Sequence, residues 1–453
     1  MRDAILARFD ELGDRTAVVD ADAAYSYRDL SEETRRLGTV LAEHRVRPHD
    51  VVVLNGDFSF PSIAALLALY LNRNILVPVV TLSEAVLATV TRSCAPRHLM
   101  RVGADVEIEA IPSAPVAAGA YDALVATGAS GLVLLSSGST GEPKAILHDL
   151  DAIVAEKLGT RARAAGRPAN ILMFLLFDHI GGLNSLLGAL RMGGAAIVPR
   201  RRTPDEICAL IEKHRIRLLP TSPTFLNLIL IGGYHREYDL SSLRLITYGT
   251  EPMPQELLAR VNAAFPGVRL LQTFGTSETG ISTTTSESSR STYFRIDDAN
   301  VQYRVVEGEL QLKSRTQFLG YLNYPSDALT EDGWFRTGDL VEQNADGFMT
   351  VKGRATEVIN VGGEKVLPLE LESILLGSPL IDDCVVYGRP NAITGQSVCA
   401  DVRPRGEMTR AELRRHVADF LTGKVDAFKM PTKVNLIDSV TVSERFKKKR
   451  ALP

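Results

Sequence analysis

A repeated alternation of short, β-branched apolar runs with amphipathic stretches narrows the possible folds most. Runs at 51–54, 132–135, 195–198, 218–219, 243–247 and 269–271 have the length and turn-bounded setting of strands covered on both faces. Between them, 27–44, 61–71, 149–161, 182–192, 204–213 and 254–264 carry helical spacing. This order predicts an α/β chain built on mostly parallel sheets. From about 293 to 352 the pattern becomes short strands separated by Gly, Asn and Asp, a distorted β region. A glycine-rich stretch follows at 353–365, then a compact segment with room for a small α+β domain. A chain of 453 residues exceeds what one hydrophobic core usually organises. Two domains are expected: a large N-terminal domain over 1–353 and a small mobile one over 354–453.

Bulk properties exclude several classes. A formal net charge of -3 supplies no general attraction to nucleic acid or to an anionic membrane. Cys94, Cys208, Cys384 and Cys399 are scattered without a CxxC pair, which argues against zinc and disulfide frameworks and suits a reducing compartment. The first residues form an acidic, helix-like pattern unlike a signal peptide. The most apolar stretch, 63–71, is too short to cross a bilayer. A soluble, cytoplasmic protein with neither nucleic-acid nor membrane partners is expected.

The strand at 132–135 delivers the chain into Ser136-Ser137-Gly138-Ser139-Thr140-Gly141-Glu142-Pro143-Lys144. Small hydroxyl residues and glycines let backbone N–H groups approach phosphate oxygens closely, and the lysine adds a positive charge. The spacing is not that of a Walker A loop. In this order the segment resembles the phosphate-binding signature of the adenylate-forming superfamily, which includes acyl-CoA synthetases, peptide-synthetase adenylation domains and luciferases.

Further motifs follow in the order that resemblance requires. Phe274-Gly275-Thr276-Ser277-Glu278-Thr279-Gly280 resembles the family's aromatic-G-x-T-E-x-G motif, with Phe for the usual Tyr and Ser for the usual Thr. The resemblance implies that Phe274 stacks on adenine beside Gly275, and that Glu278 holds Mg²⁺ with Thr140. Tyr248-Gly249-Thr250-Glu251-Pro252 is similar to the other wall of the adenine pocket, implicating Thr250, Glu251 and Pro252. Gly333-Trp334-Phe335-Arg336-Thr337-Gly338-Asp339-Leu340 resembles the W-x-x-T-G-D signature, so Asp339 would accept from both ribose hydroxyls. Arg354 opens the hinge-like stretch and would join it at the ribose; Thr356 stands where the family usually has Asp or Lys. Ser443-Glu444-Arg445-Phe446-Lys447-Lys448-Lys449-Arg450 falls where the family has T-x-x-G-K-x-x-R, with Phe446 in place of glycine. In that register Lys447 is the catalytic lysine, and three successive lysines leave the choice among 447–449 open.

Phe177-Asp178-His179-Ile180-Gly181-Gly182 resembles the acyl-ligase H-x-x-G segment, so His179 would line the acyl channel. Asp178 raises the alternative of a substrate ammonium partner, but the spacing favours His179. Pocket-facing residues are expected to include His179, Asn184, Thr247, Gly249, Gln272 and Thr276. The resemblance implies ATP- and Mg²⁺-dependent activation of a small carboxylic acid to an acyl-adenylate with release of pyrophosphate, then transfer to coenzyme A. Alternatives are transfer to a carrier-protein phosphopantetheine or an amine, and a non-catalytic homologue that binds nucleotide or acyl ligand.

Overall fold

The computed structural model describes all residues except 1, 104, 113–118, 137–142, 160–167, 326, 445 and 451–453. The chain falls into two compact units. One comprises Met1–Pro220, Gly275–Ile281 and Lys313–Phe335; the other comprises Thr221–Phe274, Ser282–Leu312 and Arg336–Pro453. Among the described residues no helix is long and apolar enough to cross a membrane.

In the first unit, four parallel strands run in the spatial order Gly131–Ser136, Ile75–Val79, Val51–Asn55, His98–Val102. All five residues of Ile75–Val79 are buried, as expected of a parallel strand covered by helices on both faces. Antiparallel strands finish the edges: Val106–Ala110 on one side, Lys144–Asp149 and then Gly320–Tyr321 on the other. A second sheet pairs Ala23–Ser26 with Thr16–Asp20 and continues in parallel through Ala196–Val198 and Ile171–Leu172 to Leu218. Between the two sheets lies the helix Phe60–Leu71, buried at every residue except Pro61 and Leu71. One apolar cluster runs from Val18 and Ala196 through Ile63 and Leu67 to Val52 and Leu54. The helix read as amphipathic at 61–71 is thus apolar all round because it is enclosed by sheet.

The sequence expectation of mostly parallel sheets holds, with three differences of detail. The hairpin Thr16–Asp20/Ala23–Ser26 and the strands Ile75–Val79, His98–Val102 and Val106–Ala110 add to those expected. The helix expected from 149 starts at Leu150, because the Asp149 carboxylate caps it by accepting the Ala152 N–H at 2.9 Å. The helix Pro223–Gly232 follows the strand at 218–221 directly, started by Ser222 as its cap.

In the second unit, Leu245–Tyr248 and Arg269–Gln272 pair in parallel. The region expected to be distorted β forms a sheet in the order Thr284–Ser286, Phe294–Ile296, Met349–Arg354, Phe335–Gln343, Glu309–Ser314, Val301–Val306. Phe274, Phe294, Leu310, Leu312 and Met349 form its core. The C-terminal part is α+β: a long hairpin, Ile381–Asn391 with Gly395–Pro404, carries Lys433–Leu436 alongside and the helices Pro368–Leu376 and Arg410–Leu421.

Candidate active site

The glycine-rich loop joins two antiparallel strands whose last register pairs are Leu135↔Ala145 and Ser136↔Lys144. Ser137, Gly138, Ser139, Thr140 and Gly141 lie outside the described residues; Ser136 and Lys144 stand at its two ends. The Lys144 ammonium sits 4.9 Å from the Tyr321 ring centroid and 5.7 Å from that of Tyr324, within cation–π range. Asn323 clamps the exit strand, donating to Pro143 O at 2.9 Å and accepting the Ala145 N–H at 2.9 Å.

Glu278 belongs to the same cluster. The Tyr321 hydroxyl donates to Glu278 Oε1 at 2.9 Å, and the Phe318 N–H donates to Glu278 O at 2.7 Å. Thr276 Oγ1 accepts the N–H groups of Glu278 and Thr279 at 3.2 and 3.1 Å, turning the chain back on itself. Gly275 is required there: a Cβ would stand 2.2 Å from Gly280 O. His148, on the strand leaving the loop, bonds Ser277 O at 2.7 Å. Burial pushes its imidazole down to about 4, so it is neutral and donates from Nε2. Burial, aided by Glu278, raises the Tyr321 phenol well above its ordinary range, which keeps it a donor.

His179 caps the helix Ile180–Met192, its Nδ1 accepting the Gly181 N–H at 3.1 Å. Gly182 packs so tightly that a Cβ would lie 2.0 Å from Leu176 O. Asp178 accepts the Val80 N–H at 3.3 Å. The motif therefore has a local structural cause, and Asn184 lies half-buried one turn along the helix.

In the second unit, Gly249 follows its strand under compression, since a Cβ would meet Thr273 Oγ1 at 2.6 Å. Thr250 adopts φ +71, the left-handed region. Tyr248 and Gln272 are register partners on parallel strands. Tyr248 OH, Gln272 Oε1 and Thr250 Oγ1 are buried with no hydrogen-bond partner among the described residues. Such orphans are rare in folded proteins and mark places where a ligand or water completes the bonding. They gather at the carboxyl ends of parallel strands, where ligands of open α/β sheets sit. Thr247 is half-buried beside them. Phe274 is buried and lies against Phe294, centroids 5.7 Å apart. Glu251 faces inward, its carboxylate accepting the N–H groups of Thr224 at 2.7 Å and Lys448 at 3.2 Å. Burial pushes its carboxyl up.

Asp339 and Arg354 are cross-strand partners, with Arg354 Nε donating to Asp339 Oδ1 at 3.1 Å. Burial raises the Asp339 carboxyl above the usual carboxylate range, opposed by the positive charges of Arg354 and Lys447. Lys447 therefore contributes to the electrostatics at Asp339. Its neighbours are engaged elsewhere: Lys448 Nζ pairs with Asp383 at 2.6 Å and Cys384 O at 2.8 Å. Arg450 bridges Glu357 and Glu372 at 3.2 and 2.8 Å. Burial alone would lower the Lys448 pKa; Asp383 and Glu372 outweigh it and leave the ammonium charged.

A family model described as AMP-binding enzyme matches residues 7–322, and a second, described as its C-terminal domain, matches 370–447. This chain belongs to the AMP-binding enzyme family. The family's fold extends over its whole length. A solved anthranilate CoA ligase in complex with anthranoyl-AMP superposes with a TM-score of 0.81 at 20% identity, covering 99% of this chain and 95% of that one. ATP-bound MatB from Rhodopseudomonas palustris gives 0.82 at 22% identity, covering 98% and 97%. Curated relatives include the indoleacetate–CoA ligase of Aromatoleum aromaticum (strain DSM 19018 / LMG 30748 / EbN1), 31% identical over 68% of this chain, and the 2,3-dihydroxybenzoate-AMP ligase of Bacillus subtilis (strain 168), 30% identical over 67%. The matched stretch spans 64% and 60% of those two relatives, under two thirds of each.

Sequence motifs alone missed Tyr321 and Asn323 beside the loop ends in the first unit, and the Lys448–Asp383 pair in the second. The Gly320-Tyr-Leu-Asn-Tyr324 string is a weak signal, because a tyrosine gains meaning only once a strand sets it against a lysine and a carboxylate.

Proposed function

We propose that the protein activates a small carboxylic acid with ATP, forming an acyl-adenylate and pyrophosphate, and then passes the acyl group to the thiol of coenzyme A. What carries this reading is the arrangement at Asp339: a buried carboxylate paired with Arg354 and within electrostatic reach of Lys447, while Lys448 and Arg450 are held in other ion pairs. Lys448 is committed to Asp383 while Lys447 bears on Asp339, which supports Lys447 over Lys448 as the catalytic lysine. The orphaned polar atoms of Tyr248, Thr250 and Gln272 support a ligand pocket at the carboxyl ends of Leu245–Tyr248 and Arg269–Gln272.

The reaction brings two anions together. A carboxylate oxygen attacks the α-phosphorus, and the bond to the bridging oxygen breaks so that pyrophosphate leaves. Little covalent help is needed; positioning and charge neutralisation do most of it. The 136–144 loop and Lys144 take the outer phosphates, Asp339 and Arg354 take the ribose, and Phe274, Gly275 and the 250–252 turn border the base. Lys447 brings positive charge to the α-phosphate and the incoming carboxylate. Glu278, oriented by Tyr321, offers a carboxylate of the kind that magnesium takes alongside phosphates and water, so it fits that ion; Thr140, outside the described residues, would join it on the resemblance alone. The metal supplies charge neutralisation at the phosphate oxygens. The resemblance assigns the acid's surroundings to His179, Asn184, Thr247, Gly249, Gln272 and Thr276.

In the second step the thiol sulfur attacks the acyl carbon, the thiol proton passes to solvent, and AMP leaves. The segment 354–453 acts as a lid that turns near Arg354–Thr356, withdrawing Lys447 and admitting the thiol. Four buried free cysteines suit a reducing, cytoplasmic setting.

The test is acid-dependent pyrophosphate exchange with indole-3-acetate, benzoate and hexanoate as probes. At least one acid supports exchange, and Lys447→Ala lowers it about 100-fold or more, the scale seen when a charge-stabilising group is removed. Absence of AMP with every acid overturns the reading. Product mass with coenzyme A, a phosphopantetheinylated carrier or an amine as acceptor identifies the second step.

A further inference from the structure

The segment presenting Lys447 is a tight hairpin. Val442 and Lys448 form an antiparallel bridge, the Ser443 N–H donates to Lys447 O at 2.8 Å, and the Phe446 N–H donates to Ser443 O at 2.9 Å. Phe446 has φ +50. Glycine is the natural occupant of a left-handed position of this kind. A phenylalanine is strained there, and such strain persists only where the surroundings over-determine it.

The surroundings do so at the start of the helix Pro223–Gly232. The Phe446 ring meets the fully buried Phe225 ring edge-on, centroids 5.1 Å apart at 76°. The helix cap Ser222 donates its hydroxyl to Phe446 O at 2.9 Å. Glu251 joins the Thr224 N–H to the Lys448 N–H, and the Lys448 ammonium is sunk beside Asp383. The residues on either side of Lys447 are therefore both anchored, one by an aromatic contact and one by a buried ion pair.

We propose that Phe446 is a positioning residue for the adenylation step, an aromatic latch that keys the Lys447 hairpin onto the helix start at Ser222–Phe225. The latch acts through Lys447 and rests on the reading of Lys447 as the catalytic lysine. It opposes withdrawal of the hairpin, so it favours the first half-reaction and must release before the second.

Phe446→Gly separates this role from a structural one, because glycine relieves the backbone strain while removing the ring. With the best of the three acid probes, Phe446→Gly lowers kcat for pyrophosphate exchange about tenfold and leaves KM for ATP within about twofold, as a misplaced catalytic group would. Its melting temperature does not fall, and transfer from preformed acyl-adenylate to coenzyme A is as fast or faster. Phe446→Tyr, which keeps the ring, exchanges at close to the unmodified rate. Exchange kcat unchanged in Phe446→Gly overturns the latch, as does an equal loss of both half-reactions with a lowered melting temperature. Undiminished exchange in Lys447→Ala instead overturns the underlying reading, so the two failures are distinguishable.

Discussion

His148 sits on the strand that leaves the glycine-rich loop, 1% exposed, with Nε2 bonded to Ser277 O and Nδ1 buried without a partner. Protonation would place a positive charge in an enclosure shut off from water, a cost larger than the help of hydrogen bonds to the Ser277 and Thr316 backbone. Burial accordingly holds the imidazole at about 4, against an ordinary value of 6.5. Between those values the unfolded chain binds a proton that the folded chain refuses, so stability falls as pH drops from 6.5 toward 4. From pH 7 to pH 5 this one residue costs about 2 kcal/mol. His148→Gln keeps a donor for Ser277 and removes the titration. Urea midpoints measured at both pH values should show a smaller acid-induced loss in the variant; an identical loss would assign the acid sensitivity to other groups. Nothing in the sequence marks His148, because a lone histidine in a strand acquires this role only through its enclosure. Asp339 and Arg354 differ: a specific motif names each, and pairing of the strands that carry them brings the two together.

The helix Ile180–Met192 shows how two glycines in one element can have opposite consequences. At Gly182 a Cβ would lie 2.0 Å from Leu176 O, whereas at Gly188 nothing stands within 4 Å. Gly182→Ala must push backbone apart and is expected to cost about 3 kcal/mol or more. Gly188→Ala fills open space with a better helix former and should stabilise by about 0.5–1 kcal/mol. Thermal denaturation of the pair checks both signs, and equal shifts would contradict the packing argument. Elements were legible where local pattern and burial agree, as in Tyr27–Glu43, whose capping box of Ser26 and Asp29 is visible in the sequence. The short strands His98–Val102 and Val106–Ala110 were not: the first is a five-residue run broken by His98 and Arg101, and the second is an edge strand whose two glutamates blur the apolar signal. Their pairing depends on the neighbouring strand and not on their own composition.

For the molecule as a whole, motif order pointed to the nucleotide-binding residues and to the hinge-like stretch at Arg354–Thr356, while the buried ion pairs around the Lys447 hairpin depend on the three-dimensional fold. Half-buried Glu251, buried Glu372 and Asp383, and their cationic partners Lys448 and Arg450 are spread over about 200 residues and form no sequence motif. The proposed lid pivots at Arg354–Thr356, where the strand Met349–Arg354 passes into the single 3₁₀ turn Ala355–Glu357. A pivot needs backbone freedom, so its side chain can vary, and this accounts for Thr356 in place of a charged residue. Proline removes that freedom by fixing φ and restricting the preceding residue. Thr356→Pro should therefore retain pyrophosphate exchange within about threefold and lose thioester formation by about tenfold or more, because only the second half-reaction requires the turn. The same preparation assayed for both products decides the matter: comparable losses in both would mean that adenylation and transfer share one lid position, and that the pivot lies elsewhere or does not exist.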